Sequence, residues 1–175
     1  MVKSHLGKPL LIIVYNSYRS STPSPHLSGL DDTKFDAKAL VSLDNVNQNG
    51  FWESAVDAVS VDGTDLGLTG RTAILDTGTT LIIAPQADAN AVHQGIQGAQ
   101  SDGQGGFTVP CNMTASVAMT FGGTLFAIDS RDIAIQPIDP NNPSGDCISG
   151  IAAGNVGGAN EWLVRICATP PGFVG

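Results

Sequence analysis

Short runs of alternating apolar and polar residues, separated by turn residues, limit what this chain can fold into. Residues 52–61 alternate with a period of two, the period of a strand that buries one face. Asp62-Gly63 directly after this run and Gly122-Gly123 further on are turn pairs typical of hairpins. With 21 glycines and 10 prolines in 175 residues, and few stretches of helical period, strands joined by turns are favoured over a helical bundle. The sequence therefore predicts a mainly β fold.

The same reasoning places the other elements. A segment at residues 85–96 has the composition of a helix, with Pro85 near its start and Gly95 as its end. Residues 139–145 are rich in proline and asparagine and are predicted to form a loop. We expect one or two short helices in all. Further strands are predicted at residues 72–75, 81–85, 107–110, 117–121, 124–128 and 147–152.

Charge and composition narrow the function classes. Sixteen acidic residues against eight basic ones give a net charge of -8, which repels phosphate backbones and argues against a nucleic-acid partner. No stretch approaches the roughly 20 apolar residues of a membrane span. No metal or phosphate motif is present, so no cofactor is predicted, and His93 is interpreted as a solvated helix residue and not a ligand. Three cysteines allow one disulfide and leave one thiol over.

The segment around Asp76 is the part of the sequence that indicates chemistry. An aspartate between apolar strands is costly as an isolated ion, so it needs hydrogen-bond donors or a shared proton. Gly78 allows the backbone to turn and aim an amide at the carboxylate, and Thr79 offers a hydroxyl donor. Two carboxylates that share a proton can activate water and polarise a peptide carbonyl. That chemistry needs two aspartates, not one. The alternative is an aspartate that only caps a helix or forms a turn.

The string Ile74 to Leu81, with Asp-Thr-Gly-Thr-Thr at its centre, resembles the second active-site motif of pepsin-like aspartic proteases. The similarity covers about residues 29–164, in the order found in the C-terminal lobe of fungal members. This resemblance implies a mainly β chain that forms one lobe of the bilobal acid protease fold. The other segments that carry it are residues 29–31, 51–53, 59–63, 106–111, 145–147 and 162–164.

The resemblance also implies roles for single residues. Asp76 would be a catalytic aspartate, Gly78 and Thr79 would donate hydrogen bonds to it, and Thr77 would contact the opposite lobe. Cys111 and Cys147 would form the lobe's internal disulfide, which requires an oxidising compartment. The triplet that begins at Asn112 fits the glycosylation sequon.

Three regions are predicted. Residues 1–28 are expected to be a disordered segment or linker, residues 29–164 the lobe, and residues 165–175 an atypical tail. Arg165 stands where the family usually has glycine, and we expect its guanidinium to be buried without a partner or to push the strand outward. The abrupt change at both ends leads to the hypothesis of a truncated or misspliced product.

The predicted function is therefore acid cleavage of peptide or protein substrates, with the isolated chain inactive because it lacks the second catalytic aspartate. The partner would be the missing N-terminal lobe or a second copy of the chain. Two alternatives stay open: a homodimeric protease of the retroviral type, and a non-catalytic β-domain that binds peptides or proteins. The family implies secretion or a vacuolar location, although residues 1–14 have only a faint signal-peptide shape.

Overall fold

A computed structural model describes residues 2–5, 8–14, 40–76 and 78–165 of the chain. Within these residues the fold is mainly β, with two short helices, which confirms the predicted class. The elements are β1 (Val2–His5), β2 (Lys8–Val14), β3 (Leu40–Asp44), β4 (Glu53–Val56), β5 (Ala58–Val61), β6 (Thr64–Asp65), β7 (Arg71–Asp76), β8 (Ile82–Ala84), α1 (Gln86–Gln94), β9 (Gln100–Ser101), β10 (Phe107–Pro110), β11 (Val117–Phe121), β12 (Thr124–Ile128), α2 (Ser130–Ile133), β13 (Ala134–Pro137), β14 (Asp146–Ser149), β15 (Ile151–Ala153) and β16 (Glu161–Arg165).

The strands form four sheets. Two of them have four strands, in the orders β13-β14-β10-β9 and β12-β11-β5-β6, and a third has the order β1-β2-β3. The fourth has the order β15-β8-β16-β7-β4, and within it β7 runs parallel to β16. One apolar cluster includes residues of the five-stranded and both four-stranded sheets and of α1, with Trp162 and Met119 among its largest buried side chains. The fold therefore supports the carboxyl end of β7 from a single core.

Both predicted hairpin turns are confirmed. Asp62 and Gly63 have φ angles of 50° and 75° between β5 and β6, and Gly122 and Gly123 have 55° and 75° between β11 and β12. Two successive positive φ angles match the right-handed twist of the strands on either side. Asp62 tolerates this conformation as aspartate often does, and its side chain accepts a hydrogen bond from the backbone N–H of Ser116.

Two predicted strands are each divided in the structure. The run at 52–61 breaks at Asp57, where β4 joins the five-stranded sheet and β5 pairs with β11. The Asp57 carboxylate accepts the backbone N–H of Gly123 at 2.7 Å, which holds the chain at this change of sheet. The run at 147–152 breaks at Gly150, because β14 pairs with β10 and β13 whereas β15 pairs with β8 in the five-stranded sheet. A Cβ on Gly150 would lie 1.8 Å from the carbonyl oxygen of Asp132. Only glycine permits that close approach.

Helix α1 ends beside Gly95, as predicted, but the reason is packing. Gly95 has a right-handed φ of -78°, and a Cβ on it would come within 2.9 Å of the Val61 Cβ.

The sequence analysis missed β3, β9, β13 and the short helix α2. Residues 1–28 include the strands β1 and β2, and β2 pairs with β3. The boundary at residue 28 and the tail at 165–175 stay predictions, and residues 166–175 lie outside the described part of the chain.

The disulfide between Cys111 and Cys147 is present, with the two Cα atoms 4.9 Å apart. It joins the end of β10 to β14, which are already paired antiparallel, and so fixes the sheet close to the turn that follows β10. The bond closes a loop of 36 residues, which is worth roughly 3–4 kcal/mol in the chain-entropy description. Cys167, the predicted leftover thiol, lies outside the described residues.

Candidate active site

Asp76 is the last residue of β7, and its side chain is half-buried. The next strand in the sheet, β16, runs parallel to β7 in a register that pairs Arg165 with Asp76. Residues directly paired in this way place their side chains on the same face of the sheet. Leu75 and Val164, one position earlier on each strand, are both buried in the core. Asp76 therefore lies on the face opposite to Leu75, at the carboxyl end of β7, where its side chain is half-buried.

The backbone amide of Gly78 donates a hydrogen bond of 3.0 Å to Oδ1 of Asp76. This is the amide contact that the sequence analysis expected from the Asp-Thr-Gly turn. A Cβ at Gly78 would lie 3.5 and 3.6 Å from the two carboxylate oxygens, which is ordinary van der Waals contact. Thr77, the middle residue of the turn, lies outside the described residues.

The expected hydrogen bond from Thr79 to Asp76 is not formed. The Oγ1 atom of Thr79 is buried and has no partner among the residues that the structure describes. A buried hydroxyl without a partner costs about 1–3 kcal/mol. The contribution of Thr79 to the site stays a prediction.

The sequence analysis expected the Arg165 guanidinium to be buried without a partner or to push the strand outward, and this was wrong. Its side chain is 33% exposed, and its Nη1 atom lies 4.0 Å from Oδ1 of Asp132, a loose ion pair. Strand β16 keeps its full parallel register with β7 up to this residue, so the guanidinium does not push the strand outward. Burial and the nearby Asp129 carboxylate raise the pKa of Asp132, and Arg165 and Arg131 oppose that increase. Arg165 therefore brings a partly solvated cation to the strand position beside Asp76.

The loop of residues 45–52 lies at the same end of β7, because the backbone N–H of Leu75 donates to the carbonyl of Trp52 at 2.8 Å. Two asparagine side chains hold this loop in shape. The Asn45 Oδ1 accepts from the backbone of Asn47 and of Glu53, and the Asn47 Oδ1 accepts from the backbone of Asn49 and Phe51. An open groove of about 870 Å³ runs along the loop.

Two apolar side chains of this loop face solvent. Phe51 is 56% exposed and Val46 is 49% exposed, on a backbone whose N–H groups donate the hydrogen bonds to the asparagine side chains described above. Sequence reasoning used residues 51–53 only as part of the resemblance and did not assign the loop a role. The sequence signal that could have indicated this loop is the cluster of three asparagines and one glutamine within residues 45–49. Such a composition is typical of turns in which side chains hydrogen-bond to the backbone.

A buried carboxylate that the sequence analysis missed supports the strands of the site. Asp88, in the first turn of α1, is fully buried and accepts two hydrogen bonds from Arg71, of 2.7 and 2.8 Å. The indole N–H of Trp162 donates to the same carboxylate at 2.9 Å. The hydrogen bond to Asp88 also raises the pKa of Arg71. Arg71 begins β7 and Trp162 lies in β16, so Asp88 connects α1 to both strands.

His93 was interpreted as a solvated residue, and this was wrong. It is buried, its ring stacks on Phe107 with centroids 3.8 Å apart, and both nitrogens have partners. Nδ1 lies 2.7 Å from the carbonyl oxygen of Ala89, and Nε2 lies 2.9 Å from Oγ of Ser149. A carbonyl can only accept, so Nδ1 carries the proton and Nε2 accepts from the Ser149 hydroxyl. Burial lowers the pKa of His93, because the charged ring would lose its solvation.

This burial predicts a dependence of stability on pH. The unfolded chain protonates His93 near its ordinary pKa, whereas the folded protein resists protonation, so the free energy of unfolding falls as the pH drops below about 6.5. Denaturant unfolding of the wild type and of His93→Gln, between about pH 7.5 and 5.5, measures this effect. The free energy of unfolding is expected to change less steeply with pH in His93→Gln than in the wild type. Equal slopes would contradict the prediction, and the other two histidines contribute equally to both proteins.

No cluster of three or more potential metal ligands occurs among the described residues. Within the same residues, no helix has the length and apolar character needed to cross a membrane.

The family model for eukaryotic aspartyl protease matches residues 1–164 of this chain. "Probable aspartic-type endopeptidase CTSD" of Arthroderma benhamiae is 36% identical over 136 residues, which are 77% of this chain and 26% of that protein. "Aspartic protease" of Phaffia rhodozyma is 31% identical over 85% of this chain and 37% of its own length. "Aspartic-type endopeptidase ctsD" of Aspergillus fumigatus is 31% identical over 85% of this chain and 30% of its own length.

The chain belongs to the eukaryotic aspartyl protease family, and its relatives include fungal pepsin-like enzymes. Its mainly β architecture is that of one lobe of the pepsin-like fold, as the resemblance implied. The chain spans between about a quarter and two-fifths of the length of these curated relatives.

Proposed function

We propose that this chain is the C-terminal lobe of an aspartic endopeptidase that cleaves peptide bonds in acid, with Asp76 as one of two catalytic carboxylates. The observation that carries the proposal is the position of Asp76: it ends a core strand, stays half-exposed, and accepts the Gly78 amide at Oδ1. This hydrogen bond orients the carboxylate at the end of β7. Oδ2 has no hydrogen bond to another described residue and is the oxygen that would face water.

The second carboxylate comes from a complementary lobe in this proposal. One aspartate of the pair removes a proton from water while the other, protonated, polarises the scissile carbonyl. The sequence has a single Asp-Thr-Gly, at residues 76–78, so this chain alone supplies half of the pair.

The peptide substrate would pass along the loop of residues 45–52. Phe51 and Val46 present apolar surface there, and the asparagine bracing means that little conformational entropy is lost when a peptide binds. The loop therefore favours apolar side chains of the substrate on this side of the scissile bond. The disulfide between Cys111 and Cys147 supports an oxidising location, secreted or vacuolar.

Complementation tests the proposal. The chain would be co-expressed with the N-terminal lobe of the Arthroderma benhamiae relative, and cleavage of a denatured protein would be measured near pH 3–5, a range around the ordinary aspartate pKa of about 3.9. We expect cleavage by the co-purified pair and none by the chain alone. A co-purified, folded pair without activity would refute the proposal. Activity of the chain alone would replace the complementary lobe by a second copy as the source of the other aspartate.

A further inference from the structure

Asn112 lies in a tight turn between β10 and β11, where the backbone N–H of Met113 donates to the carbonyl of Pro110 at 3.0 Å. The residues around it are fixed. Cys111 is bonded to Cys147, and Met113 packs against the core. The side chain of Asn112 instead faces solvent and makes no hydrogen bond to another described residue. The turn thus presents one free carboxamide on a rigid support.

Thr114, two residues on, is also exposed. Asn112-Met113-Thr114 has the spacing that the N-glycosylation machinery requires, with a residue other than proline in the middle. A second exposed triplet, Asn142-Pro143-Ser144, has proline in the middle and is therefore not an acceptor. No third triplet with this spacing occurs in the sequence.

We propose that Asn112 is a modification site that carries an N-linked oligosaccharide. The donor is an oligosaccharide linked through diphosphate to a lipid. The Asn112 side-chain nitrogen forms a bond to the first sugar carbon, the bond from that carbon to the diphosphate oxygen breaks, the lipid diphosphate leaves with the bonding electrons, and the amide nitrogen gives up one proton. The structure favours this site because the acceptor nitrogen is exposed and no native hydrogen bond among the described residues has to break.

The oligosaccharide would project from the turn into solvent. Neither Asn112 nor Thr114 belongs to the core cluster, so the modified and unmodified chains have the same fold. The same exposure makes substitutions at both positions tolerable, since surface changes of this kind stay within about 0.5 kcal/mol. The proposal does not depend on Asp76 or on proteolysis.

The test uses the full chain with a secretion leader and a C-terminal Asn-Ala-Thr tag, expressed in yeast. Molecules glycosylated at the tag have passed through the compartment that holds the transferase, so glycans are counted on those molecules only. Mass spectrometry before and after digestion with peptide N-glycosidase, which leaves an aspartate at each former glycan site, gives the number and the positions of the glycans.

We expect two glycans on the wild type and on Thr114→Ser, which keeps the acceptor spacing. We expect one glycan, at the tag, on Asn112→Gln and on Thr114→Ala. Circular dichroism of all four proteins should be the same. A wild type that carries only the tag glycan, or whose second glycan is at Asn142, overturns the proposal.

Discussion

Replacement of Asp76 by asparagine is expected to reduce acid cleavage by the complemented enzyme by about 10²–10⁴-fold, the usual contribution of a general acid–base group. The side chain keeps its shape, and its carbonyl oxygen can still accept the Gly78 amide. An amide cannot take a proton from water in this pH range, so the pair loses its base. Initial rates of peptide cleavage across the acid range measure the effect.

The matched control is Asp146→Asn, since Asp146 is an exposed aspartate without a side-chain hydrogen bond to another described residue. Activity of this control should equal that of the wild type. Thermal unfolding of both variants should also stay close to the wild type. If Asp76→Asn retained full activity, the catalytic role of Asp76 would be excluded while the family assignment would stand.

The second large effect concerns stability: we expect Asp88→Ala to lower the free energy of unfolding by about 3–5 kcal/mol, the usual cost of breaking a buried ion pair. The variant leaves Arg71, whose side chain is 19% exposed, without its carboxylate partner. It also leaves the buried indole N–H of Trp162 without an acceptor. Both losses add desolvation costs that no new contact offsets.

Denaturant unfolding of Asp88→Ala, Asp88→Asn and Asp146→Ala measures this prediction. Asparagine keeps one acceptor oxygen but loses the charge, so Asp88→Asn is expected to lie between the wild type and Asp88→Ala. Asp146→Ala changes an exposed aspartate and should stay within about 0.5 kcal/mol of the wild type. A loss below about 1 kcal/mol in Asp88→Ala would contradict a structural role for the network.

The sequence predicts the parts of this fold that depend on neighbouring residues. Period-2 runs and glycine pairs locate β11 and β12 with their turn, and the Asp-Thr-Gly segment locates the end of β7. In each case the information lies within about ten residues of chain. Strand β13 was missed because its residues are exposed or half-buried and show no alternation. The division of the strand at Asp57 was missed because it depends on Gly123, 66 residues away.

The buried polar residues show the same limit more clearly. The sequence alone indicates that Asp88 is an ordinary aspartate near the start of a helix. Its hydrogen-bond partners Arg71 and Trp162 are 17 and 74 residues away in sequence. His93 reads as a polar residue on a helix, and Ser149, its partner, is 56 residues away. Burial of a polar side chain is possible only when such distant partners meet, and a pattern along the chain does not contain that information.

The two tryptophans of this chain are placed so that their fluorescence would report on different events. Trp162 is 1% exposed and donates a hydrogen bond to Asp88. Its emission therefore changes when β7 and β16 separate as the lobe unfolds. Trp52 is half-buried and lines the groove along the loop of residues 45–52, so its emission responds to a peptide or a second lobe that covers the groove. Intrinsic emission can therefore separate docking from unfolding in the native chain, without an attached dye.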